Sequence, residues 1–389
     1  MVDNNWRTDM HAGNRRRALI IGGSLGGLFA GSALRAIGWD VDVFERSPAT
    51  LESRGGGIVL QGDVVRAMQF AQTEFGHPLG VRSKDRLFLD PQGNELSRQY
   101  MPQTQTSWNT LYSTLKQAIP EENYHRGAKF VGFDEHVDGV TANFEDGRRA
   151  NGDLLIGADG GNSTLRSLLL PDLNPSYSGY VVWCGLVDEP KLPDSARDQI
   201  YEHFVFQHDF ESMMLEYMVP GVDGSIQRGR RRFNWLWYLK AHSGAELDTV
   251  LTDRYGVRRS HSVPPGAVAP SPEDWIRRMS KERLNPAFRA LVDSTDDIFV
   301  QAIMDFQVPQ MLFGRVLLLG DAAFIPRPHT AGSTAKAAAN AVSLAQRIAS
   351  MPNLEHALRQ WEQQQLAEGM RMTDWGIGMG NQIMNIAQH

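Results

Sequence analysis

Residues 17–45 read RALIIGGSLGGLFAGSALRAIGWDVDVFE, and this stretch decides the fold. An apolar run at residues 17–21 ends in a glycine-rich turn, as expected of a strand that is buried on both faces. Apolar residues then recur at helical spacing over residues 25–36. Residues 41–44 predict a second strand, which ends at Glu45. The order of strand, turn, helix and strand, with an acid at its end, predicts a βαβ dinucleotide-binding unit.

Each position of this unit has a physical task. Gly22 permits the tight turn, and Gly27 lets the helix pack closely on the strand. Leu25 begins the helix whose N–H groups face a pyrophosphate. Ser24 replaces the middle glycine of the usual pattern and crowds the pyrophosphate slightly, while Glu45, 23 residues after Gly22, accepts hydrogen bonds from a ribose. The alternative is a glycine-rich turn of an α/β sheet that binds no ligand.

Length and composition exclude several classes of protein. The 389 residues form one large composite domain or two to three smaller ones, with 42% hydrophobic and 22% charged residues. A net charge of −6 argues against binding to nucleic acid, which calls for a basic excess. The single cysteine, Cys184, excludes an intramolecular disulfide and a cysteine-based zinc site, fits a reducing compartment, and leaves no predicted metal site.

Three arginines at residues 15–17 precede an apolar run at residues 18–34. Secretory signal peptides begin with the same pattern, and the run is also nearly long enough to be a transmembrane helix. The glycines within the run and the predicted strand at residues 41–44 argue against both. We therefore expect a soluble, cytoplasmic protein without a membrane segment.

Two later segments repeat the pattern of strand, acid-glycine turn and helix. They are residues 153–166, DLLIGADGGNSTLR, and residues 315–323, RVLLLGDAA. Taken with the first unit, they resemble the single-component (class A) FAD-dependent aromatic hydroxylases of the p-hydroxybenzoate hydroxylase type. Taken alone, Asp159 and Asp321 also suit helix N-caps.

A finer resemblance is to the 2,6-dihydroxypyridine 3-hydroxylase branch of that family. It depends on GGS at residues 22–24, FERSP at 44–48, YSGYVVW at 177–183 and DAAFIPRPH at 321–329. These motifs, together with the three dinucleotide segments, span most of the chain.

The resemblance implies a role for each matching residue. Glu45 holds the adenosine ribose of FAD, Asp321 binds the ribityl chain or the sugar near the pyrophosphate, and Asp159 lies beside the pyrophosphate. The loop at residues 326–332 lies along the flavin ring, and the positive end of the next helix faces the O2 edge of the flavin. The implied cofactor-binding residues are Gly22, Ser24, Leu25, Gly27, Glu45, Arg46, Trp108, Asp159, Asp321, Pro328, Gly332 and Ser333.

The sequence departs from the family pattern at four places. Trp108 stands where an arginine that contacts FAD is usual, and Cys184 stands in the family's Trp-Arg-Gly. Phe324 replaces a usual histidine, and residues 333–336 replace Gly-x-Asn.

Residues 85–100 and 174–240 alternate apolar and polar side chains and are rich in aromatic residues, which predicts an antiparallel sheet. Such a sheet over the flavin makes an apolar pocket with few polar groups, as small-molecule sites have. A single histidine in a strand is more often structural than catalytic, and His329 is favoured because its loop is expected to touch the flavin. The candidate catalytic residues are His329, Tyr217 and His203, and the candidate substrate-binding residues are His208, Gln227, Trp235 and Trp237.

The resemblance implies a monooxygenase that uses FAD, NADH or NADPH, and O2. It implies hydroxylation of a hydroxylated pyridine or phenol through a flavin C4a-hydroperoxide. We find no second dinucleotide unit between residues 190 and 300, so the nicotinamide cofactor is expected to bind briefly. Arg228 and the arginines at residues 230–232 either attract its phosphates or form a solvated basic loop.

Two other functions stay open at this point. One is a flavin oxidoreductase of the same fold that performs epoxidation or decarboxylative hydroxylation. The other is a non-catalytic regulator that binds a nucleotide, which the replacements at Trp108 and Cys184 make conceivable.

The predicted fold class is α/β with an α+β insertion: a Rossmann-like FAD-binding domain, an antiparallel substrate sheet and C-terminal helices. Trp361 in those helices suits either internal packing, the favoured interpretation, or the face of a homodimer. The predicted segments are 1–80, 106–173 and 301–345 for the FAD-binding domain, 81–105 and 174–300 for the substrate sheet, and 346–389 for the C-terminal helices.

Overall fold

The computed structural model describes residues 15–51, 56–73 and 78–386. The strands of these residues are β1 Arg17–Ile21, β2 Asp40–Glu45, β3 Gly57–Val59, β4 Val81–Leu89, β5 Glu95–Ser107, β6 Tyr124–Arg126, β7 Phe130–His136, β8 Gly139–Phe144, β9 Arg149–Gly152, β10 Leu154–Gly157, β11 Ser176–Asp188, β12 Phe204–Asp209, β13 Ser212–Val219, β14 Arg232–Lys240, β15 Ser262–Val263, β16 Phe299–Gln307, β17 Leu312–Phe313, β18 Val316–Leu318 and β19 Phe324–Ile325.

The helices lie between and after these strands. The α-helices of the described residues are α1 Leu25–Ala36, α2 Gly62–Phe70, α3 Trp108–Lys116, α4 Thr164–Leu169, α5 Asp194–Ile200, α6 Ala245–Leu251, α7 Pro270–Arg283, α8 Pro286–Asp293, α9 Ser333–Ser350 and α10 Leu354–Ile383. Short 3-10 helices lie at Glu121–Asn123, Glu189–Lys191, Gly320–Ala322 and Pro328–Thr330.

The first sheet has six strands in the order β17-β18-β10-β1-β2-β6, and all but β17 run parallel. Ile21 at the end of β1 pairs with Gly157 of β10 and with Phe44 of β2, and Gly157 pairs with Leu318 of β18. These strands therefore end side by side. Strands β1, β10 and β18 are almost entirely apolar because both faces of the sheet are buried, whereas β2 carries three acidic residues, Asp40, Asp42 and Glu45.

The second sheet has ten strands and is mostly antiparallel. In its central strands β11, β13 and β14, successive side chains point in opposite directions and both faces are largely buried. One face carries Trp183, Trp235 and Trp237 and belongs to the core formed with α5 to α8. The other face carries aromatic side chains such as Tyr180 and Tyr238.

The remaining elements complete the first domain. Strands β7, β8 and β9 form a small third sheet, helix α9 packs against α1, and α10 packs against α9. Trp361 of α10 is fully buried, and its indole N–H donates to the carbonyl of Asn340 at 3.0 Å. The favoured prediction for Trp361, internal packing, is therefore confirmed.

The structure confirms the predicted fold class and refines the segments. Strands β4 and β5 belong to the second sheet, and β3 joins it as well. Strand β16 continues to Gln307, so the predicted boundary at residue 300 falls inside a strand. The parts of the predicted terminal segments at residues 1–14, 52–55, 74–77 and 387–389 lie outside the described residues.

The apolar run at residues 18–34 is divided between strand β1 and helix α1. Within the described part of the chain, we find no helix that is both long and apolar enough to cross a membrane.

Candidate functional site

The dinucleotide motifs meet at the carboxyl edge of the parallel sheet. Glu45 ends β2, Gly22 follows β1, Asp159 follows β10, and Asp321 follows β18. Because neighbouring strands lie about 4.8 Å apart, the four strand ends lie within roughly 15 Å. This edge, with β2 at one side and β18 at the other, is where ligands bind in such sheets.

The turn between β1 and α1, called the glycine cradle below, has no room for a side chain at Gly22 or Gly27. Gly22 adopts a φ of +107°, and a Cβ there would lie 2.4 Å from the carbonyl oxygen of Ala158. A Cβ on Gly27 would lie 1.9 Å from the carbonyl oxygen of Gly22. Helix α1 has no acid in its first turn, and Ser24 does not cap it through its side chain. The N–H groups at Leu25 and its neighbours are thus placed to bind an anion, which fits a pyrophosphate.

Glu45 is fixed at the second strand end. Its Oε2 accepts the N–H of Gly23 at 2.9 Å, and its Oε1 accepts the N–H of Ser47 at 2.8 Å. The Tyr124 hydroxyl donates to the carbonyl of Gly23 at 2.9 Å and holds the turn from the other side. Each carboxylate oxygen keeps capacity for a further hydrogen bond, such as one from a ribose hydroxyl. Arg46 is exposed beside it.

Asp159 contacts helix α4. Its Oδ2 accepts the N–H groups of Thr164 and Leu165 at 2.7 and 3.2 Å, and its Oδ1 accepts the Ser163 hydroxyl at 2.5 Å. Burial raises the pKa of Asp159, against the hydrogen bonds, which lower it. These contacts are those of a helix-capping group, the alternative that the sequence left open.

Asp321 is different, because its partners are side chains of α9. Its Oδ1 accepts the Ser333 hydroxyl at 2.5 Å and the Lys336 ammonium at 2.9 Å. Lys336 is buried and also donates to the carbonyl of Phe324. Sequence reasoning missed Lys336, although its spacing of three residues from Ser333 places both on one face of the helix.

The loop at residues 326–332 joins the first domain to the second sheet. The Arg327 guanidinium is buried and donates to Asp305 of β16 through Nε at 2.7 Å and Nη2 at 2.6 Å. Its Nη1 donates to Asn381 Oδ1 at 2.8 Å. Burial opposes the charge of Arg327, but these contacts prevail and raise its pKa.

The end of this loop leads into the positive end of a helix. Pro328 begins a 3-10 turn, Ala331 has a φ of +50°, and its carbonyl accepts the Gln61 amide at 2.6 Å. Gly332 donates to Thr330 Oγ1, and α9 then begins at Ser333 with no acid in its first turn. Its free N–H groups therefore present a partial positive charge.

His329 lies where this loop meets the aromatic face of the second sheet. Its Nε2 is 2.9 Å from the Tyr180 hydroxyl, and its ring centroid is 4.3 Å from that of Tyr238. Its Nδ1 is buried and has no hydrogen-bond partner among the described residues. Burial and the Arg327 charge lower the pKa of His329 to about 3, so the imidazole is neutral at pH 7. Tyr180 was missed as a site residue, although the period-two pattern of its strand placed it on a candidate face.

Further along the same face, Asn234 precedes Leu236 and Tyr238 at alternate positions of β14, and Tyr217 is its partner on β13. Asn234 Oδ1 accepts the N–H of Gly57 at 2.8 Å. Its Nδ2 is buried and lacks a partner within the described residues. Burial raises the pKa of Tyr217, so its hydroxyl stays protonated. The aromatic face thus has polar groups at two ends and Leu236 between them.

Comparison with known proteins identifies this arrangement. Residues 177–305 match the family model described as FAD binding domain-like. A 2,6-dihydroxypyridine 3-monooxygenase of Paenarthrobacter nicotinovorans is 34% identical over 91% of this chain and 88% of its own length. The chain belongs to the class A FAD-dependent aromatic-ring monooxygenases.

Two further relatives agree. The solved structure of 2,6-dihydroxypyridine-3-hydroxylase from Arthrobacter nicotinovorans has a TM-score of 0.90 and 31% identity, and the match covers 97% of this chain and 94% of that one. A 6-hydroxynicotinate 3-monooxygenase of Pseudomonas fluorescens is 24% identical over 88% of this chain and 85% of its own length.

The residues at the sheet edge of the monooxygenase fit FAD. The glycine cradle and the uncapped start of α1 suit the pyrophosphate, and Glu45 suits the adenosine ribose on the β2 side. Asp321 and the start of α9 lie on the β18 side of this edge and would hold the other half of the cofactor, with its ribityl chain and flavin ring.

Two predicted substrate ligands of the monooxygenase lie elsewhere. Trp235 and Trp237 belong to the core on the opposite face of the sheet, where their indole N–H groups donate to Thr295 and Ser212 at 2.9 Å. They face away from the aromatic side because they are one position out of phase with Leu236. The prediction that they bind substrate therefore finds no support.

Two other predicted residues, His203 and Gln227, are not brought to His329 in the monooxygenase, whereas His208 lies close enough that its charge lowers the pKa of His329. His203 lies 3.5 Å from Asp85 and 3.3 Å from Arg98. His208 is exposed and contacts the carbonyl of Ile383 at 3.2 Å. Gln227 is exposed in the loop before β14. His208 and Gln227 lie at the surface, whereas His203 is half-buried and its Nδ1 has no hydrogen-bond partner among the described residues.

The basic loop of the monooxygenase is occupied by internal contacts. Arg230 pairs with Asp223, Arg231 pairs with two glutamates, and Arg228 donates to the Tyr201 hydroxyl at 2.6 Å. These partners favour the structural interpretation of this loop over a docking site for phosphates.

At the positions where the monooxygenase departs from the family pattern, the side chains pack against their neighbours. Trp108 stacks on Tyr112 with ring centroids 4.8 Å apart. Cys184 is a buried free thiol on the aromatic face, and the fully buried ring of Phe324 lies so close to α10 that a Cβ on Gly369 would contact it at 2.4 Å. The positions of Trp108, Cys184 and Phe324 are thus compatible with the fold.

Proposed function

We propose that this monooxygenase hydroxylates a single aromatic ring that already carries a hydroxyl group, a hydroxylated pyridine or phenol, with NADH or NADPH and O2 as co-substrates. When bound, FAD accepts a hydride from the nicotinamide and activates O2 for transfer of one oxygen atom. The printed activities of two relatives, on 2,6-dihydroxypyridine and on 6-hydroxynicotinate, favour a pyridine ring by analogy.

The observation that carries this proposal is the hydrogen bond between His329 and Tyr180 at the junction of the FAD-side loop and the aromatic face. A neutral imidazole with one free nitrogen accepts the proton of a substrate hydroxyl at Nδ1, and the hydrogen bond from its Nε2–H to the Tyr180 oxygen stabilises the imidazolium that forms. Burial disfavours the imidazolium, and the negative oxygen left on the substrate beside it offsets that cost. Loss of that proton makes the substrate ring electron-rich at the carbons beside and opposite its oxygen.

Side chains between the polar ends of the aromatic face would hold the ring and exclude water. Cys184, Leu215 and Leu236 are neighbours on three adjacent strands and present apolar surface. A dry surface matters because an activated oxygen species must react with the ring before it meets water. At the far end, the unpaired Nδ2 of Asn234 is a donor for an oxygen substituent of the ring.

We also infer a cytoplasmic location and a homodimer for this protein. A cytoplasmic location is supported by the buried, free thiol of Cys184. A homodimer is testable by light scattering of the purified protein; Trp361 is not its interface, because that side chain is buried within the chain.

The test is a screen of hydroxylated pyridines and phenols with the purified, FAD-loaded protein. We expect one class of substrate to accelerate NADH or NADPH oxidation and to yield a product heavier by one oxygen atom. An epoxide product, or a product that has also lost carbon dioxide, would favour the alternative oxidoreductases. FAD binding without any substrate-stimulated oxidation of NADH or NADPH would favour the regulator.

A further inference from the structure

A buried cation lies beside the half of the cofactor site that receives the flavin. Lys336 is the fourth residue of α9, and its side chain is only 4% exposed. Its ammonium group reaches Asp321 Oδ1 at 2.9 Å and the carbonyl of Phe324. The Asp321 side chain follows β18 at the carboxyl edge of the sheet and is 41% exposed, whereas that of Lys336 is buried.

This placement is costly for the fold. The first turn of a helix is the positive end of its dipole, where a cation is unfavourable. Burial also disfavours an ammonium ion, and it lowers the pKa of Lys336, against the Asp321 charge, which raises it. Among the described residues, Asp321 is the one carboxylate within ion-pair distance of Lys336.

The charge of Asp321 explains what Lys336 does. Flavin reduction adds negative charge to the ring, and an unpaired carboxylate nearby opposes that change. The positive start of α9 favours it. An ammonium group that cancels the carboxylate leaves the helix end as the dominant field.

We propose that Lys336 is a redox-tuning residue, which neutralises Asp321 beside the flavin half of FAD and so favours the reduced cofactor over the oxidised one. The inference rests on FAD binding and not on the identity of the aromatic substrate. In this proposal Lys336 affects the flavin only by neutralising the charge of Asp321.

The test is the midpoint potential of bound FAD, measured by reductive titration without substrate. Lys336→Met leaves the Asp321 charge unpaired and is expected to shift the potential to more negative values. Asp321→Asn leaves the ammonium group unpaired and is expected to shift the potential to more positive values. A tenfold change in the relative affinities for reduced and oxidised FAD corresponds to about 30 mV for this two-electron couple.

Controls separate this effect from a structural one. Lys281→Met removes an exposed lysine of α7 and is expected to leave the potential unchanged. Lys336→Arg keeps the charge and is expected to stay near the parent protein. If Lys336→Met retains FAD poorly, the same quantity follows from the dissociation constants of the reduced and oxidised cofactor.

Opposite shifts in the Lys336→Met and Asp321→Asn proteins would support the proposal. Shifts in the same direction, or shifts no larger than that of Lys281→Met, would overturn it. Because no aromatic substrate is used, failure here leaves the proposed hydroxylation intact, and failure of the substrate screen leaves this result intact.

Discussion

Arg327 and Asp305 form a two-point ion pair between the FAD-side loop and strand β16 of the second sheet, with N–O distances of 2.7 and 2.6 Å. The guanidinium group is buried, with 4% of its side chain exposed. The two residues are 22 positions apart in sequence. The pair thus fixes the loop of His329 against the sheet that carries Tyr180.

Replacing Asp305 by Asn is expected to destabilise the protein strongly, because it leaves a buried guanidinium without its counter-charge. The free energy of unfolding should fall by about 3–5 kcal/mol, the cost of breaking a buried ion pair. Urea unfolding at pH 7 measures it. Asp296→Asn, which removes the exposed partner of Lys191, should change stability little. An equally small loss in both variants would contradict the role given to the pair.

Glu45→Gln should weaken FAD binding, because the amide cannot replace both of the hydrogen bonds that the carboxylate accepts from backbone N–H groups. We expect the dissociation constant of FAD to rise at least about tenfold, since a hydrogen bond to a charged group contributes about 1.5–3 kcal/mol. Flavin fluorescence quenching measures this constant. Asp40→Asn in the same strand, where the side chain is exposed, is the matched control. Equal FAD affinities in the two variants would refute the assignment of Glu45.

Gly27→Ala should abolish FAD retention, because the added Cβ would lie 1.9 Å from the carbonyl oxygen of Gly22. The turn must shift, and the N–H groups that face the pyrophosphate shift with it. Gly132→Ala introduces the same methyl group where no atom lies within 4 Å and should keep the yellow colour of the parent protein. The absorbance of bound flavin after gel filtration compares the two. A yellow Gly27→Ala protein would show that the cradle is not required.

His329→Gln should reduce hydroxylation by about 10²–10⁴-fold, the usual contribution of a general base. NADH or NADPH oxidation should continue without matching product, because FAD reduction does not use His329. Tyr180→Phe should show a smaller effect of the same kind, since it removes the hydrogen-bond partner of His329 Nε2. Product yield per nicotinamide cofactor oxidised measures both. Full coupling in His329→Gln would exclude this residue as the base.

The pH profile gives an independent check on His329. Because burial lowers its pKa to about 3, the imidazole stays neutral from pH 5 to 8 and protonates only near the lower value. The plot of kcat/KM against pH should therefore have the same shape near pH 6.5 in the parent protein and in His329→Gln, because His329 does not titrate there. An inflection there, lost in the variant, would place the pKa of His329 near its ordinary value and contradict the burial.

Glu216→Gln should stabilise the protein more at pH 8 than at pH 5. Glu216 is fully buried, both of its oxygens lack partners among the described residues, and burial raises its pKa well above the usual value. The folded protein thus holds a proton that the unfolded chain has lost, so Glu216 costs stability increasingly as pH rises above about 4.3. Each pH unit in that window costs up to about 1.4 kcal/mol.

Urea unfolding at the two pH values measures this difference. Glu355→Gln, at an exposed pair with Arg359, should show the same stability change at both. A pH-independent difference between Glu216→Gln and the parent protein would mean that Glu216 is ionised in the fold.

Sequence alone determined the cofactor edge of this protein. The turn at Gly22 and Gly27, the acid at Glu45 and the turns at Asp159 and Asp321 are local patterns, and each was predicted at the strand end where the structure has it. The helix that was predicted directly after Asp321 is instead a short 3-10 turn followed by strand β19. The local patterns are readable because a strand, a tight turn and a helix start depend on residues a few positions apart. Parallel pairing of the strands then brings the turns together.

Only the tertiary structure decided which face of the second sheet can meet a substrate and which charged side chains are buried. All eight residues of β13 are buried, so polarity does not reveal which side meets the cofactor; Tyr217 and Trp235 were indistinguishable in sequence but lie on opposite faces. Likewise, the ion pair of Arg327 and the burial of Lys336 depend on contacts between distant segments. Alternation fixes the relative side of neighbouring residues, whereas the layer that covers each side is set only when the domains pack.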